Sequence, residues 1–240
     1  MTVRRFYAPQ AAFAENSVVL DEGEARHLRD VLRLSAGDMV NVFDGEGNEY
    51  NCRIEAVSKR SAILTILGRA EPSAPESPLL LTVAAAVTPP EKYDLVVQKA
   101  VELGVTHFIP LITNRTEIKS AIAEKRVDRW RKIAFEASKQ CGRAKLMSVA
   151  EPIAFEKAFG LFKGTKIMFS ERDGRGFESL PASNEMTLVF GPKGGWDDKE
   201  LETAKNNDAA IITFGGRVLR AETAAIALTA IIQHRFGDMN

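Results

Sequence analysis

Residues Glu71-Pro72-Ser73-Ala74-Pro75-Glu76-Ser77-Pro78 place three prolines and no large apolar side chain in eight consecutive positions. Proline fixes φ and lacks an N–H, so such a stretch can neither continue a helix nor lie in a central strand. It predicts an extended linker over 71–78 that separates a domain over 1–70 from a domain over 79–240. The two follow different patterns. Before the linker, β-like runs (Met39 to Phe43, Glu49 to Val57, Ala62 to Leu67) are joined by turn chemistry such as Asp44-Gly45-Glu46-Gly47-Asn48, which reads as a small β-barrel. One helix is expected among them, from Glu24 to Leu34, with Leu28, Val31 and Leu32 on one face and Arg26, Arg29 and Arg33 outward. Arginines at that spacing can track phosphates.

After the linker, apolar runs alternate with helical periodicity. Strands are expected over Leu79–Val87, His107–Ile112, Lys166–Phe169, Thr187–Phe190 and Ala209–Phe214, and helices over Glu91–Gly104 and Glu124–Gln140. Alternation of this kind predicts an α/β fold with a mostly parallel sheet and helices on both faces. Asp197 or Asp198 can cap a helix after Trp196, and Gly104 suits a helix stop. The last helix, Glu222 to Phe236, is too apolar around its circumference for one wet face. It is expected to be central or to lie at a subunit interface.

Two apolar runs break at glycines. Thr187-Leu188-Val189-Phe190 is followed by Gly191-Pro192-Lys193-Gly194-Gly195-Trp196, and Thr213-Phe214 by Gly215-Gly216-Arg217-Val218-Leu219-Arg220 at the start of the last helix. Glycine lets backbone approach a ligand closely, and open α/β sheets bind ligands outside the carboxyl ends of their strands. Each loop alone also reads as a tight turn; together they could grip one cofactor. The dinucleotide fingerprint G-x-G-x-x-G and the phosphate loop G-x-x-x-x-G-K-[ST] are both absent, which removes the usual support for nicotinamide or nucleoside-triphosphate chemistry.

With 240 residues, 45% hydrophobic, the chain can bury a substantial core. No apolar run is long enough to span a bilayer and the Arg4-Arg5 start lacks a signal-peptide core, so a cytoplasmic protein is expected. Cys52 and Cys141 belong to no CxxC or Cys/His spacing and His27, His107 and His234 to no ligand pattern, so no metal site is expected. The net charge of zero argues against a generic polyanion binder. The stretch from Arg115 to Lys145 is nonetheless basic, either a solvated helix face or a nucleic-acid contact.

The pairing of Phe190-Gly191-Pro192-Lys193-Gly194-Gly195-Trp196 with Gly216-Arg217-Val218-Leu219-Arg220-Ala221-Glu222-Thr223-Ala224 resembles the RsmE family of 16S rRNA uracil-N3 methyltransferases in the SPOUT superfamily. The likeness extends to Arg4-Arg5-Phe6-Tyr7, His27 to Arg33, Gln98 to Val105, and Glu136 to Arg143. It implies a PUA-like RNA-binding barrel, a SPOUT domain with a C-terminal trefoil knot, S-adenosylmethionine as methyl donor with S-adenosylhomocysteine as product, a homodimer, and 16S rRNA within the small ribosomal subunit as substrate. This chain departs from the family pattern at Lys193, where Glu is common, and in lacking a proline within Ala144 to Ser148.

The chemistry assigns residues to roles. Methylation at uracil N3 requires loss of the N3 proton, so a guanidinium aimed at a uracil carbonyl would stabilise the developing anion. Arg220 is the first candidate, with Arg143 and Arg217; Glu222 is a proton acceptor, an orienter of an arginine, or a complement to the helix dipole. The cofactor pocket is expected from Gly191, Pro192, Gly194, Gly195 and Gly215, with apolar walls from Phe190, Phe214, Val218 and Leu219, completed by Thr223 and Ala224. Ser170 and Glu171 form a third strand end, with Glu171 meeting ribose hydroxyls or solvent. Trp196 is a candidate to stack a flipped base. Arg4, Arg5, Arg26, Arg29, Arg33 and Lys92 are expected to contact RNA phosphates. Two alternatives stay open: a methyltransferase for another RNA base, and a non-catalytic RNA-binding ribosome-assembly factor.

Overall fold

A computed structural model describes residues 4–239. The chain forms two compact units, Met1–Glu76 with Ser138–Leu146, and Ser77–Ala137 with Met147–Asn240. The division between Glu76 and Ser77 lies within the proline-rich stretch. Proline content gives no hint that Ser138–Leu146 returns to the first unit. It does so through Arg5, whose guanidinium donates to the carbonyls of Lys139 and Arg143, and through a short ion pair from Lys139 to Glu24.

In the first unit, β1 (Arg5–Tyr7), β2 (Ser17–Leu20), β3 (Met39–Phe43), β4 (Glu49–Val57) and β5 (Ala62–Ala70) form one curled sheet in the order β1-β3-β4-β5-β2. Alternation puts Val40, Val42, Cys52, Ile54 and Leu64 into a core with Phe6, Leu20 and Leu28. Register shifts between β4 and β5 at Asn51/Cys52 and Ile54/Ala56 bend the long hairpin. The helix expected over 24–34 is shorter and irregular: α1 (Glu22–Arg26), capped by Asp21, runs into a π-helical turn over His27–Val31. The wider turn rotates Val31 out of the expected buried face, leaving it 67% exposed. Arg33 ends the turn in the left-handed region at φ 55.

The second unit is a sheet whose strands all run parallel. In chain order its elements are β6 (Leu80–Ala86), α2 (Pro90–Glu102), β7 (His107–Ile112), α3 (Ser120–Glu124), α4 (Val127–Cys141), β8 (Ser148–Val149), β9 (Ile153–Ala154), α5 (Phe155–Ala158), β10 (Thr165–Phe169), β11 (Glu185–Phe190), α6 (Asp198–Asn206), β12 (Ala210–Ile212) and α7 (Ala221–Phe236). The strand order is β12-β10-β11-β6-β7-β8, with β9 also pairing with β7. β6 and β11 are almost wholly buried, as their unbroken apolar runs require in a sheet covered on both faces. α2 starts with Pro90 at a position where a missing N–H costs nothing. It stops at Gly104, whose φ of 75 suits the left-handed residue beyond a helix end. α6 starts with a capping box between Asp197 and Glu200.

Candidate active site

A cavity of about 620 Å³ opens where β10, β11 and β12 end and α7 begins. Three strand ends contribute: Phe169 at the end of β10 with Ser170 and Glu171 after it, Gly191 to Trp196 after β11, and Ile212 and Phe214 at and after β12. The fourth wall is Arg217 to Glu222 with Ala224 and Leu228, and Thr88, Pro89 and Lys92 close the side beside β6.

The first glycine loop is held from several directions. Gly191 lies under the Trp196 indole, where a Cβ would stand 2.9 Å from a ring carbon. Gly195 adopts φ 69, and a Cβ there would meet a Glu171 carboxylate oxygen at 2.7 Å. These glycines form a cradle that side chains would fill, which suits backbone contact with a cofactor. Arg115, on the loop after β7, donates through Nη1 to the Gly194 carbonyl at 2.8 Å and the Trp196 carbonyl at 3.3 Å. Arg172 donates to the same Trp196 carbonyl at 3.2 Å and pairs with Asp198 at 2.8 Å. Two cations thus turn the loop's carbonyls outward. Asn114 adds a side-chain bond to Asp197 at 2.5 Å and a backbone N–H to Glu200 at 2.9 Å. The Asp197 carboxyl is held below the usual aspartate range by the Glu200 N–H, then by Asn114; burial pushes Glu200 up against the N–H bonds it accepts.

The second glycine loop is bare by comparison. Gly215 and Gly216 have nothing within 4 Å of an added Cβ, and Val218 is 83% exposed. Arg220 occupies the N-cap of α7 without a side-chain cap bond, and the start of that helix, with its partial positive charge, lines the cavity. Among the described residues neither Arg217 nor Arg220 has a carboxylate within ion-pair distance. Glu222 pairs with Lys92 at 2.9 Å, and that bond holds its carboxyl below the usual glutamate range.

Of the residues expected in a cofactor pocket, Ser170, Glu171, Gly191, Pro192, Gly194, Gly195, Phe214, Val218, Leu219 and Ala224 line this cavity, together with Arg217, Arg220 and Glu222. Phe190 does not: it is 2% exposed and stacks on Phe169 with ring centroids 5.1 Å apart, behind the wall. Gly215 and Thr223 also fall outside the lining. Trp196 is a correction of another kind, since an indole that stacks a base must be reachable. It is 1% exposed, packs on Phe155 and donates Nε1 to the Phe169 carbonyl at 2.8 Å, so it is the floor of the loop.

Arg143 belongs to the first unit, where it is buried and paired with Glu76 at 2.7 Å, and it does not line this cavity. Arg5 is likewise spent on Glu49 at 2.8 Å over the Phe43 ring and is no phosphate contact. Lys92 sits in the cavity wall with Glu222. Arg4, Arg26 and Arg33 are exposed, as expected, and Arg29 is half-buried and bonded to Asp30. Arg26 and Arg29 line a cleft with Lys59 in the first unit.

Sequence reasoning missed Thr88, Pro89, Phe169, Ile212 and Leu228 in the wall. The strand-end rule that found the glycine loops would also have reached Thr88, two residues past β6. Its Oγ1 is buried with no hydrogen-bond partner among the described residues. Arg115 carries no sequence signal, because its target is backbone. No group of three His, Cys, Asp or Glu among the described residues could hold a metal ion, and no described helix is long and apolar enough to cross a membrane.

Residues 75–233 match the model of an RNA methyltransferase domain, and residues 20–67 that of an RNA methyltransferase PUA domain. The ribosomal RNA small subunit methyltransferase E of a Synechocystis strain is 31% identical over 96% of this chain and 77% of its own length. The Bacillus subtilis protein of that name is 29% identical over 87% and 86%. A crystal structure of the Neisseria gonorrhoeae ribosomal RNA small subunit methyltransferase E bound to S-adenosyl methionine is 31% identical and covers 100% of both chains with a TM-score of 0.89.

Proposed function

The chain belongs to the ribosomal RNA small subunit methyltransferase E family, and from that premise we propose that it methylates N3 of a uridine in 16S rRNA of the small ribosomal subunit, with S-adenosylmethionine as donor. The observation that carries this reading is the cavity itself, a 620 Å³ space at parallel strand ends with a glycine cradle on one wall and Arg220 at an uncapped helix start on another. Bound there, S-adenosylmethionine supplies an electrophilic methyl group on a sulfonium.

The protein's own part is positioning and charge control. Gly191, Gly194 and Gly195 offer backbone at close range, and Leu219, Phe214 and Ile212 offer apolar wall. Arg220 donates to a uracil carbonyl, where charge gathers as the N3 proton passes to solvent, and N3 then takes the methyl as the methyl–sulfur bond breaks to leave S-adenosylhomocysteine. A donor aimed at such an oxygen contributes about 10²–10³ in rate. Glu222 is a weak base because Lys92 holds it ionised; its part is to fix Lys92 and to complement the start of α7. The family's trefoil knot is supported by the return of β12 to the far side of β10. A homodimer is supported by the half-exposed apolar residues Ile226, Ala227, Ala230 and Ile231 on α7.

RNA docking through the first unit uses Arg26 and Arg33, with Arg29 and Lys59 in the adjoining cleft. The deciding experiment is transfer from labelled S-adenosylmethionine to unmethylated small subunits, followed by nucleoside mass spectrometry. The expected product is 3-methyluridine, reduced by about 100-fold or more in Arg220→Ala. Label in another nucleoside would sink the N3 assignment, and S-adenosylmethionine binding without transfer to any RNA would favour a non-catalytic factor.

A further inference from the structure

A uridine turned out of its stack into the cavity leaves its own flanking phosphates at the cavity rim. Cations there divide into those already neutralised and those that are not. Lys92 is matched by Glu222 at 2.9 Å, and Arg172 by Asp198 at 2.8 Å. Arg115 is different. Its Nη1 bonds two carbonyl oxygens, which carry only partial charge, and among the described residues no carboxylate lies within ion-pair distance of it. Its stem lies along the glycine loop, since a Cβ on Gly194 would stand 3.4 Å from the Arg115 Cβ and Cδ.

Lys193, next in the chain, lines the cavity and has a side chain 76% exposed. Its contact is Glu117 at 3.7 Å, itself 55% exposed, an arrangement of little stabilising value that a phosphate can displace. Lys193 therefore stands on the loop that forms the cavity wall, and Arg115 lies against that loop from the end of β7, both solvent-facing and neither in a close ion pair, with Asp197 the carboxylate that feels the Arg115 charge. Lys193 occupies a position where the resembled family commonly has Glu.

We propose that Arg115 and Lys193 form a phosphate-binding rim for the RNA strand whose uridine enters the cavity. The inference rests on the RNA-methylation reading. Arg115 would then join two tasks: its Nη1 shapes the cofactor loop while the rest of its guanidinium meets the RNA backbone. Lys193 has only the second task, which makes it the cleaner probe.

The test measures binding of a 16S rRNA fragment to the full chain across a salt series, with S-adenosylmethionine affinity measured in parallel. Lys193→Gln should bind the fragment about fivefold more weakly near physiological salt and reduce the log–log salt slope by about 0.7–0.9, the share of one phosphate contact. Lys193→Glu should weaken it further, and both variants should lose more RNA affinity than S-adenosylmethionine affinity. Arg115→Gln should lose affinity for both ligands, and Arg115→Lys should recover RNA affinity more than cofactor affinity, because one ammonium replaces the charge but not the two-carbonyl grip. Wild-type RNA affinity and salt slope in Lys193→Gln would overturn the proposal, as would a loss confined to S-adenosylmethionine. If the wild-type protein transfers methyl to rRNA and the slopes do not move, the rim alone fails; if it transfers none, the parent reading fails and the rim with it.

Discussion

The two glycine loops look alike in sequence and differ in how the protein holds them. Gly191 to Trp196 sits on a buried indole, is bonded by Arg115 and Arg172 from two other strand ends, and packs Gly195 against Glu171. Gly215 to Arg220 has exposed glycines with open space around them and a helix start without a side-chain cap. The first loop is a wall held by contacts from within the protein. The second carries Arg220, the arginine proposed to meet the uracil carbonyl, and has few contacts of its own to hold it. Such a difference predicts that one wall recognises the ligand and the other closes on it.

The largest way to break the contrast is to remove the floor. Trp196→Ala should cost about 3–5 kcal/mol of stability, as for other buried aromatic deletions, read as a drop in Tm or denaturant midpoint. An unchanged midpoint would mean the loop does not depend on its indole. Next come the glycines. Gly195→Ala forces a side chain to φ 69 and should cost about 1–3 kcal/mol, with weaker S-adenosylmethionine binding, whereas Gly216→Ala meets nothing within 4 Å and should stay within about 0.5 kcal/mol of wild type. Equal effects at the two positions would erase the distinction.

The smallest expected effect is electrostatic. Glu222 has its pKa lowered chiefly by Lys92, so the pair's contribution is fully present above the usual glutamate range and is lost as pH falls through the lowered value. Lys92 is 42% exposed, so screening limits the contribution to under about 1 kcal/mol. Lys92→Met should abolish that part of the acid-side stability loss, measured as the difference in unfolding free energy between neutral and acid pH. A steeper loss in the variant would reverse the assigned sign.

Much of this was legible in the chain because the signals were local. Strands β3, β4 and β7 fall on the expected residues, and α2, β6 and α7 within one or two, since each is an apolar run or period bounded by a proline, a glycine or a cap. Both glycine loops were visible for the same reason. What was hidden is pairing at long range. Nothing near Arg143 or Arg5 in sequence says that Glu76 and Glu49 neutralise them, and a tryptophan beside a glycine loop looks the same whether it faces a ligand or the core. Arg115 was invisible as a loop clamp because it binds carbonyls 79 and 81 positions away. The π-helical turn at His27–Val31 escaped because it follows from backbone geometry that a 3.6-residue period does not encode.

Hydrogen exchange on the free protein and on its complex with S-adenosylmethionine tests the contrast most directly. The account predicts that amides of Gly194 to Trp196 are protected before cofactor is added and change little, while those of Gly215 to Leu219 exchange fast in the free protein and slow sharply on binding. Fast exchange in both loops before binding, or a second loop already protected without cofactor, would contradict it.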